Sequence, residues 1–151
     1  MDRVFKTVAV VVTFSILIGV AYAQFAKPED AIKYRQAVMT IIVRHFGLMG
    51  AMVKGKIPYN QEAFANNAAV VEEVSVLPWE ALLAPGSDKG QTTMKSSVLK
   101  NPAEFKALAQ TFEMEASKLS AAAKSGDFDA AKAQFGKVAQ SCKACHSKAR
   151  K

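Results

Sequence analysis

Cys142, Cys145 and His146 are the residues of this 151-residue chain whose types and spacing carry a specific chemistry. Two thiols separated by two residues, with an imidazole directly after the second, form the pattern at which a c-type haem is attached. The thiols add across the haem vinyl groups, and the imidazole reaches the iron from the same side of the ring. On an α-helix, residues three and four apart share a face, so all three side chains project into one wall of a pocket.

Other uses of the same residues fit less well. A disulfide within one helical turn would close a very small loop and stabilise little. A thioredoxin-like redox pair opens a helix inside a βαβ unit, and no strand-rich pattern occurs here. Zinc needs a fourth ligand, and the chain has only two cysteines and two histidines. The pattern therefore predicts one covalently attached haem c, with Cys142 and Cys145 as attachment points and His146 as an axial ligand of the iron.

The elements that must position these residues begin after an export leader. Arg3 and Lys6 precede an apolar run, Val8 to Val20, which ends at Ala21-Tyr22-Ala23. That three-part layout predicts a secretory signal over residues 1–23, cleaved before Gln24. The run approaches the length of a bilayer span, but Thr13, Ser15 and Gly19 dilute it and the small-residue site follows closely. Residues 24–151 then form a single domain. Removing the leader takes the formal charge from +7 to +6, which favours acidic partners or anionic surfaces. Nucleic acid is excluded as a partner by export and by the absence of a basic motif interleaved with aromatics.

The exported part reads as helical throughout. The first helix is expected to start near Pro28, with Glu29 and Asp30 in its first turn. It runs through Ile32, Met39, Ile42, Phe46, Met49 and Val53, and stops at Gly55 and Pro58. A second stripe, Val38, Ile41, His45, Leu48 and Met52, makes this helix apolar over more than one seam. That breadth predicts contact with a haem, with two helices, or with another subunit. Asn60 caps a second helix that continues through Phe64, Ala68, Val71 and Val74 towards Leu77, before Pro78 and Trp79 turn the chain. Residues 84–93 read as a loop. Asn101-Pro102-Ala103-Glu104 starts a third helix, which stops at Ser125-Gly126. Asp127 caps a fourth, whose core stripe of Phe128, Ala131, Phe135 and Val138 continues into Cys142, Cys145 and Ala149. The expected fold is all-α: an antiparallel four-helix bundle with haem c held covalently by the C-terminal helix.

A haem-attachment motif at the extreme C-terminus of a four-helix chain resembles the cytochrome c-prime, or class II cytochrome c, family. So do the segments Gln24-Phe25-Ala26-Lys27-Pro28-Glu29-Asp30-Ala31 and Val53-Lys54-Gly55-Lys56-Ile57-Pro58-Tyr59, the corner Leu77-Pro78-Trp79, and Ser141-Cys142-Lys143-Ala144-Cys145-His146. The resemblance implies a periplasmic, commonly homodimeric bundle. It places Met39 opposite His146, where gas-binding members typically carry Leu, Phe or Tyr and a low-spin branch carries a ligating methionine. It implies that Arg35 and Gln36 contact the haem propionates, that Gln91 lies near them, and that Arg150 stands by the proximal face. An aromatic is often found where this chain has Ala149.

A thioether on the core stripe can bind iron, and His/Met ligation raises the reduction potential. Methionine at helical spacing also fills cores, and Met49, Met52, Met94 and Met114 are further candidates. His45 lies six residues beyond Met39, about 120° around a helix, and so cannot face the same iron. The function expected first is one-electron carriage by a His/Met-ligated haem. The alternative is a five-coordinate or Met-displaceable haem that binds nitric oxide or carbon monoxide. An enzyme is not expected, because peroxidase-like chemistry needs a second acid/base group that the sequence does not identify. Lys132, Lys137, Lys143, Lys148, Arg150 and Lys151 make the last helix basic, which suits either a solvated face or docking of an acidic redox partner.

Overall fold

The computed structural model describes residues 25–151, so the expected leader and its cleavage point before Gln24 lie outside the described residues. Four long helices, α1 Pro28–Val53, α2 Gln61–Val74, α5 Pro102–Lys124 and α6 Phe128–Ala149, alternate in direction. Two single turns, α3 Trp79–Leu82 and α4 Ser97–Lys100, lie in the long connection between α2 and α5. Among the described residues the β-structure is one isolated bridge, between Met94 and Arg150.

Local chemistry sets most of the boundaries. Pro28 opens α1, where its missing N–H costs nothing, with Glu29 and Asp30 in the first turn. Gly55 takes φ +66 just past the end of α1, a left-handed conformation that glycine adopts without a Cβ clash. The Asn60 side chain accepts from the Ala63 N–H at 2.7 Å and the Asp127 carboxylate from the Ala130 N–H at 2.9 Å, each satisfying one of the donors that a helix start leaves unpaired.

Two boundaries differ from expectation. The second helix stops at Val74, short of Leu77, because the Ser75 hydroxyl donates back to the Glu72 carbonyl at 2.7 Å and Pro78 removes a donor shortly after. Asn101 does not cap α5 with its side chain. Its amide instead donates to the Ser97 carbonyl at 3.2 Å and closes α4, a turn that short-range pattern did not reveal.

Helices α1 and α2, α2 and α5, and α5 and α6 pack side by side. Phe64, Leu119, Val71 and Val138 are fully buried between them, with Met49. The fourth pair, α1 and α6, meets through aromatic rings: Phe46 stacks on Phe135 with centroids 4.1 Å apart. A Cβ at Gly50 would come within 3.2 Å of the same Phe135 ring, so the missing side chain is what lets the helices approach here. Towards the other end α1 and α6 part, and a cavity opens between them.

The caps give a test that separates the structure from the sequence pattern. Asn60→Ala and Asp127→Ala are each expected to lower unfolding free energy by about 1 kcal/mol in chemical denaturation. Asn101→Ala, which removes no cap bond, is expected to cost less than about half of that.

Candidate haem site

The cavity between α1 and α6 has a volume of about 470 Å³. Cys142, Cys145 and His146 line its α6 wall together, as their spacing predicts, and Met39 lines the α1 wall. Arg35, Gln36 and Arg150 also border it, whereas Gln91, expected near the same propionates, is not part of its lining. Ile42, Phe46, Trp79, Leu82 and Phe112 supply an apolar surround, and among the described residues no carboxylate lines it. His45 stays outside: its Nδ1 lies 2.8 Å from Asn67 Oδ1. Because the Asn67 amide nitrogen donates to the Ala63 carbonyl, its oxygen faces the ring and Nδ1 carries the proton.

The methionines separate by position. Met49 and Met52 are buried in the bundle core, away from the cavity, and Met114 is exposed. Met94 does line the cavity, in a small cluster with Leu82, Val98, Phe105 and Ala149 against which Cys145 packs. It therefore shares the α6 side with His146, which leaves Met39 as the methionine on the α1 wall. Ala149, where an aromatic was the commoner expectation, is buried in that same cluster.

Burial pushes the Cys142 and Cys145 thiols above their ordinary pKa, with Arg150 opposing the rise at both. Both are neutral thiols before any thioether forms. Burial and then the Arg150 charge hold His146 below its ordinary value, leaving the neutral imidazole that binds metal.

Arg35 is 6% exposed and its guanidinium is largely committed to the chain. Nη1 donates to the Ala81 carbonyl at 3.2 Å, and Nη2 donates to the Ser87 carbonyl and the Thr92 hydroxyl, both at 2.7 Å. Burial pulls its pKa down and nearby Asp88 pushes it back up; a guanidinium remains charged in such a site. Among the described residues, two of its five N–H donors make no hydrogen bond. Gln36 donates to the Gln91 carbonyl at 3.0 Å, which ties together two residues expected near the propionates.

Sequence pattern missed Thr92 and Thr93, which line the cavity from the connection between α2 and α5 beside Met94, one of the further methionine candidates. That connection carries no periodicity; the available signal was a buried arginine on α1 in need of acceptors.

The arrangement fits a haem and not a bare ion. Among the described residues no three His, Cys, Asp or Glu side chains are placed to hold a metal. Two thiols and an imidazole on one wall, an apolar lining and cations at the border suit a flat apolar macrocycle with carboxylate arms.

Comparison with known proteins agrees. The cytochrome C' family matches residues 30–150. Cytochrome c' of Alcaligenes xylosoxydans xylosoxydans is 45% identical over 128 residues, 85% of this chain and 98% of its own. The solved cytochrome c prime of Shewanella frigidimarina superposes with a TM-score of 0.82 at 39% identity, covering 85% of this chain and 99% of that one. Solved variants of cytochrome c prime from Alcaligenes xylosoxidans, 44% identical with a TM-score of 0.78 over 85% of this chain, include a leucine-to-alanine form with nitric oxide and a leucine-to-glycine form with carbon monoxide bound; the chain covers 98% and 99% of these two. This chain therefore belongs to the cytochrome c' family, four-helix bundles that carry a covalently attached haem c.

Proposed function

We propose that this cytochrome binds a diatomic gas, nitric oxide or carbon monoxide, on the face of the haem opposite His146, in the compartment outside the bacterial cytoplasm. The observation that supports this best is the cavity itself. It presents one imidazole, a far wall that is apolar at Met39, Ile42, Val43 and Phe46, and no carboxylate among the described residues, so a small neutral ligand can enter while proton-transfer chemistry lacks a carboxylate partner. The gas complexes of the Alcaligenes xylosoxidans protein favour this reading over one-electron carriage, the function expected first. Haem c supplies an iron that takes up a gas or an electron. Cys142 and Cys145 tether it, His146 binds the iron from the α6 side, and Arg35, Gln36 and Arg150 face its carboxylate arms and proximal face. Met39 holds the opposite side and yields it to the gas.

One-electron carriage is the second reading, favoured by the position of Met39 on the wall facing His146. Lys132, Lys137, Lys143, Arg150 and Lys151 are exposed and would steer an acidic partner, whereas Lys148 is engaged by Glu104. Ile41 and Val43, 42% and 66% exposed on α1, are the surface we assign to a homodimer. The role is binding or carriage rather than enzymatic turnover. Export of residues 24–151 follows from the leader pattern and from the need to attach haem c outside the cytoplasm.

Absorption spectra of the reduced protein test the choice. Bands that shift under carbon monoxide are the expected result; a narrow low-spin α-band unmoved by either gas would leave the carrier reading standing. Met39→Leu is expected to raise gas affinity and to give five-coordinate spectra without gas, at a stability cost below about 1.5 kcal/mol because the volume is conserved. Unchanged spectra would remove Met39 from the coordination sphere.

Cofactor loss tests the tether. The double variant Cys142→Ala, Cys145→Ala is expected to release its haem to acid and organic solvent. The haem-free chain, with the cavity wall between α1 and α6 unsupported, should keep its far-ultraviolet dichroism while losing near-ultraviolet signal and binding a hydrophobic dye.

A further inference from the structure

The Arg35 guanidinium begins a chain of hydrogen bonds that crosses from one wall of the cavity to the other. Thr92 Oγ1 accepts from Arg35 Nη2 at 2.7 Å and from the Met94 N–H at 3.1 Å. Met94 is bridged to Arg150: the Lys95 N–H donates to the Ala149 carbonyl and the Lys151 N–H to the Thr93 carbonyl, each at 2.8 Å. The Arg150 N–H in turn donates to the His146 carbonyl at 3.0 Å and ends α6. At this end of the bundle α1 and α6 are separated by the cavity. The last turn of α6 is held on one side by α5, through Ala149 against Phe105 and Lys148 with Glu104, and on the side facing α1 by the connection that spans the gap.

We propose that Arg35 is a positioning residue for His146. Anchored one turn before Met39 on the α1 wall, it fixes Thr92, the 93–95 segment, the paired residues 149–151, and so the tilt of the imidazole that binds iron from the opposite wall. Three features give the link its stiffness. The guanidinium is buried with Ala81 and Ser87, both fully buried, so water does not compete for those two carbonyls, while the Thr92 hydroxyl is part-buried at the cavity wall. Bonds from a charged donor are about twice as strong as neutral ones. Two backbone bonds on opposite sides of the Met94–Arg150 bridge fix the tail against rotation as well as translation.

The role is separable from any contact Arg35 makes with the haem carboxylates, because Thr92 belongs to the chain of bonds and carries no charge. Thr92→Val, close to isosteric, removes the shared hydroxyl and leaves Arg35 its two carbonyl partners. In the haem-loaded protein it is expected to speed amide exchange at Lys95 and Lys151 by about five- to tenfold, the effect of one lost hydrogen bond on local opening, while Ala116 in the middle of α5 keeps its rate. The iron–histidine stretching band of the ferrous protein should shift or broaden in the same variant, and in Arg35→Lys, which keeps the charge but loses the fork. An unchanged band would overturn the proposal even with faster exchange, since the link would then stop short of His146. Equal acceleration at Lys95, Lys151 and Ala116 would overturn it too, by showing a general loss of stability.

Discussion

The rest of the structure answers to one constraint: Cys142, Cys145 and His146, the residues that would hold the haem, sit within a single turn near the end of α6. Cys142, Cys145 and His146 share a face of α6, so the pocket must open where that face looks, towards α1. A continuous four-helix core would leave no room there. The bundle resolves this by packing α1 on α2, α2 on α5 and α5 on α6 along their lengths, and by joining α1 to α6 through Phe46 and Phe135 beyond the pocket. Gly50 allows that closure, since any side chain there would meet the Phe135 ring. Close approach at one end and separation at the other come from the same pair of helices.

Separation carries a cost: on the side facing α1, the last turn of α6 loses a packing partner just where His146 would bind iron. The connection between α2 and α5 takes over that task with polar chemistry in place of apolar packing. It lies across the pocket end, is held by the buried Arg35, and ends by pairing with residues 149–151. Its Asp88 accepts from the Ser96 hydroxyl at 2.5 Å, which holds that carboxyl below its usual range and keeps a negative charge near the guanidinium. Within about one protein domain, then, an apolar core carries stability and a small desolvated polar network carries orientation.

What could be read from the sequence follows this division. The four long helices and the stops at Gly55 and Gly126 were legible because periodicity and φ-positive glycine are local signals. So were the caps at Asn60 and Asp127. Cys142, Cys145 and His146 were legible because one turn of helix holds all three. Met39 could be placed only by resemblance, since spacing puts it on the same stripe as Met49, which the structure sinks in the core. Thr92, Thr93 and the tail pairing were not legible at all: they depend on contacts 52 to 58 residues apart in the chain, made by a segment with no period. Asn101 shows the same limit at short range, where a capping sequence is present but its amide serves the preceding turn.

The electrostatics of the cavity bear on which oxidation state it favours. Ferric haem carries one more positive charge at the iron than ferrous haem, and an apolar surround disfavours the form with more charge. Arg35 and Arg150 border the cavity and no carboxylate does, so the nearest fixed charges repel the ferric form as well. The ionised propionates act in the opposite direction, and a guanidinium that neutralises one of them restores the bias. With a propionate neutralised in this way, the apolar surround and the two guanidinium groups would favour the reduced iron, the state to which carbon monoxide binds. Under the proposed function such a cavity would suit gas binding, with no carboxylate among the described residues lining it, and the same bias would raise the potential of a carrier. The two proposed functions would therefore share their electrostatics and differ at one atom, the Met39 sulfur.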